Sequence, residues 1–69
     1  MRDWLRRSRE EKGLTIAEMA QKLDISLSYY SLVESGKRQK KMDITLLTRI
    51  SSVLDLPLAD AVSLEAAKI

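Results

Sequence analysis

The chain has 69 residues, 45% of them apolar and 32% charged, with a formal net charge of +2 and neither cysteine nor histidine. That length suits one domain near the lower limit of what folds without covalent staples, and the composition suits a folded helical protein rather than a disordered tail. Without Cys or His there is no disulfide, zinc finger, thiol nucleophile or histidine acid–base chemistry, and the carboxylates are scattered, so neither an enzyme nor a metal or cofactor site is expected.

Asp3 to Lys12 reads as a first helix, with Asp3 as its N-cap, Trp4 and Leu5 facing inward and Gly13 as terminator. Thr15 and Glu18 then form a T-x-x-E capping box, in which the hydroxyl accepts from the Glu18 amide and the carboxylate reaches back to the Thr15 amide. Ile16, Met19, Ala20 and Leu23 follow at i, i+3, i+4 and i+7, one apolar helical stripe. Asp24-Ile25-Ser26 interrupts it with a residue that tolerates left-handed backbone, an apolar plug and a good N-cap. From Leu27 a further helix turns Tyr30 and Val33 inward, and Gly36 stops it. Asp43 caps a fourth helix whose core stripe is Ile44, Leu47, Ile50 and Leu54. Pro57 pushes Leu56 out of helical geometry and suits the first turn of a fifth helix lined by Leu58, Ala61, Val62 and Leu64. Residues 63–69 read as a tail of uncertain order.

The fold expected is therefore all-α: five short helices in a single domain over residues 1–69. Alternation at period two is absent over any useful length, so no strand is expected. The predicted core comprises Leu5, Met19, Ala20, Leu23, Ile25, Tyr30, Val33, Leu47, Ile50 and Leu54.

Helix, tight turn and helix over 15–36 is the spacing of a DNA-binding helix-turn-helix. The chain resembles the phage-repressor-like (Xre-type, lambda-repressor-like) helix-turn-helix domains. The resemblance is carried by Arg9…Lys12-Gly13-Leu14-Thr15, Glu18-Met19-Ala20…Leu23, Ile25-Ser26, Val33-Glu34-Ser35-Gly36-Lys37-Arg38 and Leu54-Asp55-Leu56-Pro57, in that order over nearly the whole chain. It implies that Leu27 to Ser35 is the recognition helix, and that Arg9 pairs with Glu34 as a structural ion pair. An Arg fork matches a carboxylate bidentately, although two solvated surface charges is the alternative for any single Arg and Glu. Ser8 and Ile16 depart from the family pattern. Ser8 stands where a bulky apolar residue is usual, and Ile16 where a Gln often braces the recognition helix against a phosphate.

By helical geometry and by the family match, Leu27, Ser28, Ser31 and Leu32 are the base-reading positions, with Tyr29 at the edge. Ser hydroxyls hydrogen-bond to either type of base edge and Leu packs on a thymine methyl, so modest discrimination is expected. Thr15, Tyr29, Lys37, Arg38, Lys40 and Lys41 are assigned to phosphates; the basic run directly follows the recognition helix, in a loop longer than the usual family connection.

The leading functional expectation is a sequence-preferring regulator of transcription that binds double-stranded DNA. It would act as a homodimer on a palindromic operator, with dimer contacts from Leu56, Leu58, Val62 and Leu64. A second reading stays open: a protein-interaction module, antitoxin-like or an adaptor subunit, whose recognition helix offers Leu27, Leu32 and one tyrosine as an apolar patch. No small-molecule ligand is expected. No apolar run approaches membrane-spanning length and MRDWLRRSREE lacks a signal-peptide apolar region, so no membrane partner and a cytoplasmic location are expected.

Overall fold

A computed structural model describes residues 1–67, and among these it contains five α-helices and no strand. They are α1 (Asp3–Glu11), α2 (Ile16–Leu23), α3 (Leu27–Ser35), α4 (Ile44–Val53) and α5 (Leu58–Ala66). Three of the five starts are set by local side-chain caps. The Thr15 hydroxyl accepts from the Glu18 amide at 3.1 Å while the Glu18 carboxylate accepts from the Thr15 amide at 2.9 Å, the complete capping box. Ser26 accepts from the Tyr29 amide at 3.0 Å and Asp43 from the Leu46 amide at 2.8 Å, so one orphan amide at each of those ends has a side-chain partner.

The first helix begins differently from expectation. Arg2 occupies the N-cap position without a side-chain cap, and Asp3 is the first helical residue, paired with Arg6 at 3.5 Å on the surface. The helix ends at Glu11, one residue short of the predicted Lys12. Between α2 and α3, Asp24 takes left-handed backbone at φ 58° and ψ 43°, and the Ile25 amide donates to the Ala20 carbonyl at 3.0 Å. Gly36, at φ 84°, closes α3 in the left-handed region where a side chain would be strained.

The core joins Trp4, Leu5, Met19, Ala20, Leu23, Tyr30, Val33, Leu46, Leu47, Ile50, Leu54 and Ala61. Ile25 is half-buried and packs against this cluster rather than lying inside it. The α4 stripe is corrected at its start: Ile44 is 59% exposed, and Leu46 is buried in its stead. The reason is the cap geometry. Asp43 holds the Leu46 amide, and the first turn then places Leu46 and Leu47 inward with Ile44 outward.

On α5 only Ala61 is buried, whereas Leu58, Val62 and Leu64 are 38%, 42% and 39% exposed. Pro57 precedes this helix as its N-cap residue rather than standing in its first turn. Residues 63–66, expected as tail, continue α5; Lys68 and Ile69 lie outside the described residues. Among the described residues no helix is long and apolar enough to cross a membrane.

Candidate nucleic-acid interface

Helix α3, the expected recognition helix, is held from below by buried chemistry and left open above. Its inner side carries Tyr30, Val33 and Glu34, all buried. Arg9 of α1 donates to Glu34 in fork geometry, Nε to Oε2 at 2.9 Å and Nη2 to Oε1 at 3.1 Å, and its Nη1 donates to the Leu14 carbonyl at 2.8 Å. The Tyr30 hydroxyl donates to Glu34 Oε2 at 2.7 Å. The buried carboxylate therefore accepts three hydrogen bonds, the condition under which a buried charge is tolerated. The same arrangement raises the Arg9 pKa, chiefly through its hydrogen bonds to Glu34. The Tyr30 hydroxyl is pushed far above its ordinary range, first by burial and then by the adjacent Glu34. α1 and the C-terminal half of α3 are thereby locked in register.

On the outer side Leu27 is 54% exposed, and Ser28 and Ser31 are exposed. Leu32 is half-buried, so of the four residues assigned to bases it projects least from the helix. Tyr29 is also half-buried and packs against the core. Its hydroxyl accepts from the Gln39 amide nitrogen at 2.8 Å, which leaves its own proton available for a phosphate oxygen.

The basic loop is folded back on α3. The Lys37 and Arg38 amides both donate to the Leu32 carbonyl, at 3.0 and 3.1 Å. Lys37, Arg38, Lys40 and Lys41 are exposed, while Gln39 is half-buried with left-handed backbone at φ 55°. The Gln39 side chain spans the loop, donating to Tyr29 of α3 and accepting from the Asp43 amide at 3.2 Å at the start of α4. Thr15 is exposed, but both its backbone amide and its hydroxyl oxygen are engaged by Glu18; only the hydroxyl proton is left to donate outward. The backbone hydrogen bond from Thr15, followed by that to its side chain, holds the Glu18 carboxyl below its usual range.

Two residues that organise this surface escaped sequence reasoning. Gln39 lies inside a run of cations and reads as a solvated spacer, although it bridges two helices. Arg2 looks like one of several N-terminal cations, yet its side chain is fully buried beneath the loop. The Arg2 side-chain partners are all distant in the chain, and Gln39, although it reaches the nearby Asp43 amide, finds its other partner, Tyr29, only through the fold of the loop.

Three of the residues assigned to a dimer contact line different grooves. Val62 opens on a groove of about 370 Å³ with Met42, Ile44 and Leu47. Leu64 lies instead with Met1 and Trp4, and Leu56 with Ser8 and Leu54.

An exposed helix face of small polar and aliphatic side chains, flanked by a cationic loop, offers contacts to base edges and to phosphates. Comparison with known proteins agrees with that geometry. A Bacillus subtilis (strain 168) protein described as an uncharacterized HTH-type transcriptional regulator, YqaF, is 38% identical over 45 residues, covering 65% of this chain and 59% of that relative. No solved structure gives a significant match. A family model described as helix-turn-helix matches residues 5–60, from α1 through the start of α5, and the chain belongs to that non-enzymatic family.

Proposed function

We propose that the chain is a regulator of transcription that binds double-stranded DNA with a sequence preference, acting as a homodimer on a palindromic operator. The observation that carries this reading is the juxtaposition of α3 and the basic loop. Leu27, Ser28 and Ser31 stand open on the helix, and Gln39 ties the loop bearing Lys37, Arg38, Lys40 and Lys41 to Tyr29 at its edge. A single short helix reads only a half-site, so two copies related by a two-fold axis would supply the affinity, with half-sites about one DNA turn apart. The exposed apolar residues of α5 support such a contact; Leu58 and Val62 share a helix face at i, i+4 spacing.

The test is a salt titration on selected and scrambled duplexes with the parent and with Ser28→Ala, Leu27→Gln and Lys37→Ala. The Lys37 change should weaken both duplexes alike and lower the salt slope by about one. The Ser28 and Leu27 changes should alter preference at one or two base positions, by about 1–3 kcal/mol. Equal affinity for both duplexes in every protein removes the claim of sequence preference. If Leu27→Gln instead abolishes a protein complex while duplex binding stays weak and sequence-blind, the exposed Leu27 belongs to a protein-interaction module.

A further inference from the structure

We infer that Arg2 is a positioning residue for the phosphate-contacting loop: from beneath, it fixes the backbone on which Lys37, Arg38, Lys40 and Lys41 are displayed. The inference rests on the DNA-binding reading above. The Arg2 side chain has no exposed surface, so it cannot itself reach a phosphate. Its Nη1 donates to the carbonyls of Val33 and Arg38, and its Nη2 to the carbonyl of Gln39. Three acceptors from the end of α3 and the first turn of the loop thus converge on one guanidinium. The remaining donors face α5. Nε lies 3.0 and 3.1 Å from the two Glu65 carboxylate oxygens, and Nη2 is 3.0 Å from Oε2. Every N–H of the fork is used, which only arginine can supply; lysine has three donors on a single nitrogen and no planar fork.

The neighbours hold this arrangement in place. The Arg2 amide donates to the Glu34 carbonyl at 2.8 Å, docking the N-terminal segment on the end of α3. The Trp4 indole donates to Glu65 Oε1 at 2.9 Å, fixing the carboxylate that faces the guanidinium. Gln39 has left-handed backbone that a non-glycine residue adopts at a cost, and its carbonyl is the one Arg2 binds. With that carbonyl gripped from inside and the Gln39 side chain bridging Tyr29 and Asp43, the loop is clamped at both its backbone and its side chain. A clamped loop presents its cations without the ordering entropy that a free loop would lose on binding.

A merely structural ion pair between the N-terminal segment and α5 would affect stability and leave the loop alone. The test therefore reads both on the full chain, using Arg2→Lys, Glu65→Gln and a control, Val53→Ala, which loosens the far end of α4. Backbone ¹⁵N order parameters of residues 37–41 are measured without DNA, and the salt dependence of binding to an unrelated duplex is measured well below each melting temperature. Arg2→Lys is expected to lower the order parameters of 37–41, weaken duplex binding about tenfold, and reduce the salt slope by about one. Glu65→Gln should act in the same direction and more weakly, and Val53→Ala should change neither readout. An ordered loop in Arg2→Lys overturns the inference, as does a loosened loop whose duplex affinity and salt slope match the parent. A parent protein without salt-dependent duplex binding defeats the DNA reading and the inference with it, whereas failure in the Arg2 variant alone leaves that reading intact.

Discussion

Arg9 and Glu34, 25 residues apart, meet as a bidentate pair with nitrogen–oxygen distances of 2.9 and 3.1 Å, and their side chains are 9% and 5% exposed. Buried pairs of this kind are stabilising relative to half a pair, not relative to an apolar replacement of the same shape. Glu34→Ala strands the guanidinium and the Tyr30 hydroxyl together, and is expected to lower unfolding free energy by about 3–5 kcal/mol. Arg9→Met with Glu34→Leu should recover part of that loss. Urea unfolding against a surface control, Glu11→Ala, decides it: a Glu34→Ala midpoint no lower than the control contradicts the buried-pair energetics. Glu65 is unsuitable as a surface control, because it holds Arg2 and Trp4.

The Tyr30 hydroxyl gives this cluster an alkaline signature. Tyr30→Phe removes one hydrogen bond to a carboxylate and should cost about 1.5–3 kcal/mol at neutral pH. The folded-state pKa is raised by burial and by Glu34, so the folded protein keeps a proton that the unfolded chain releases near pH 10. The contribution is therefore fully present below pH 10 and declines above it, by up to about 1.4 kcal/mol per pH unit. Stability curves of parent and Tyr30→Phe should converge as pH rises from 10. Curves that stay parallel from pH 8 to 11 would show that the hydroxyl is not held protonated by folding.

Thr15 carries a structural role and a proposed phosphate contact, and two substitutions separate them. Thr15→Ala removes the cap acceptor and should cost about 0.5–2 kcal/mol. Thr15→Asp keeps an acceptor for the Glu18 amide and places negative charge at a helix N-terminus, so stability should stay near the parent. It lacks a donor and repels phosphate, so duplex binding should nevertheless fall. Unchanged duplex affinity in Thr15→Asp removes Thr15 from the phosphate contacts.

Ser8 is half-buried beside an open groove of about 250 Å³ lined by Glu11, Lys12, Leu54 and Leu56. A larger apolar side chain there would cover Leu54 and Leu56 without displacing a hydrogen-bonded group. Ser8→Leu is expected to raise stability by about 0.5–2 kcal/mol, read from the thermal midpoint and from urea unfolding. A lower midpoint would mean that Lys12, which pairs with Asp55 across this groove, cannot move aside.

Helices α2 to α4, their N-caps and the turn at Asp24 were legible in the amino-acid order because each depends on partners three or four residues away, whereas the start of α1 and the end of α5 were misplaced. Thr15 with Glu18, Ser26 with the Tyr29 amide and Asp43 with the Leu46 amide are short-range hydrogen bonds, and the inward positions of α2 and α3 follow from helical periodicity. The Arg9–Glu34 pair was legible only through the family resemblance, since periodicity does not say which helix faces which. Where the orientation of an element is settled by its neighbours, local reasoning failed. Ile44 fits an apolar stripe but turns outward, because the cap and the packing of Leu46 and Leu47 rotate that stripe. Val62 and Leu64 open on different grooves, the first lined from Met42, Ile44 and Leu47 and the second from Met1 and Trp4, so neighbours distant in the chain decide what each faces. Arg2 and Glu65 are 63 residues apart, and nothing near either residue announces the other. The tertiary structure alone brings Arg2 and Glu65 together beneath the basic loop, because a buried guanidinium needs more acceptors than its own segment provides.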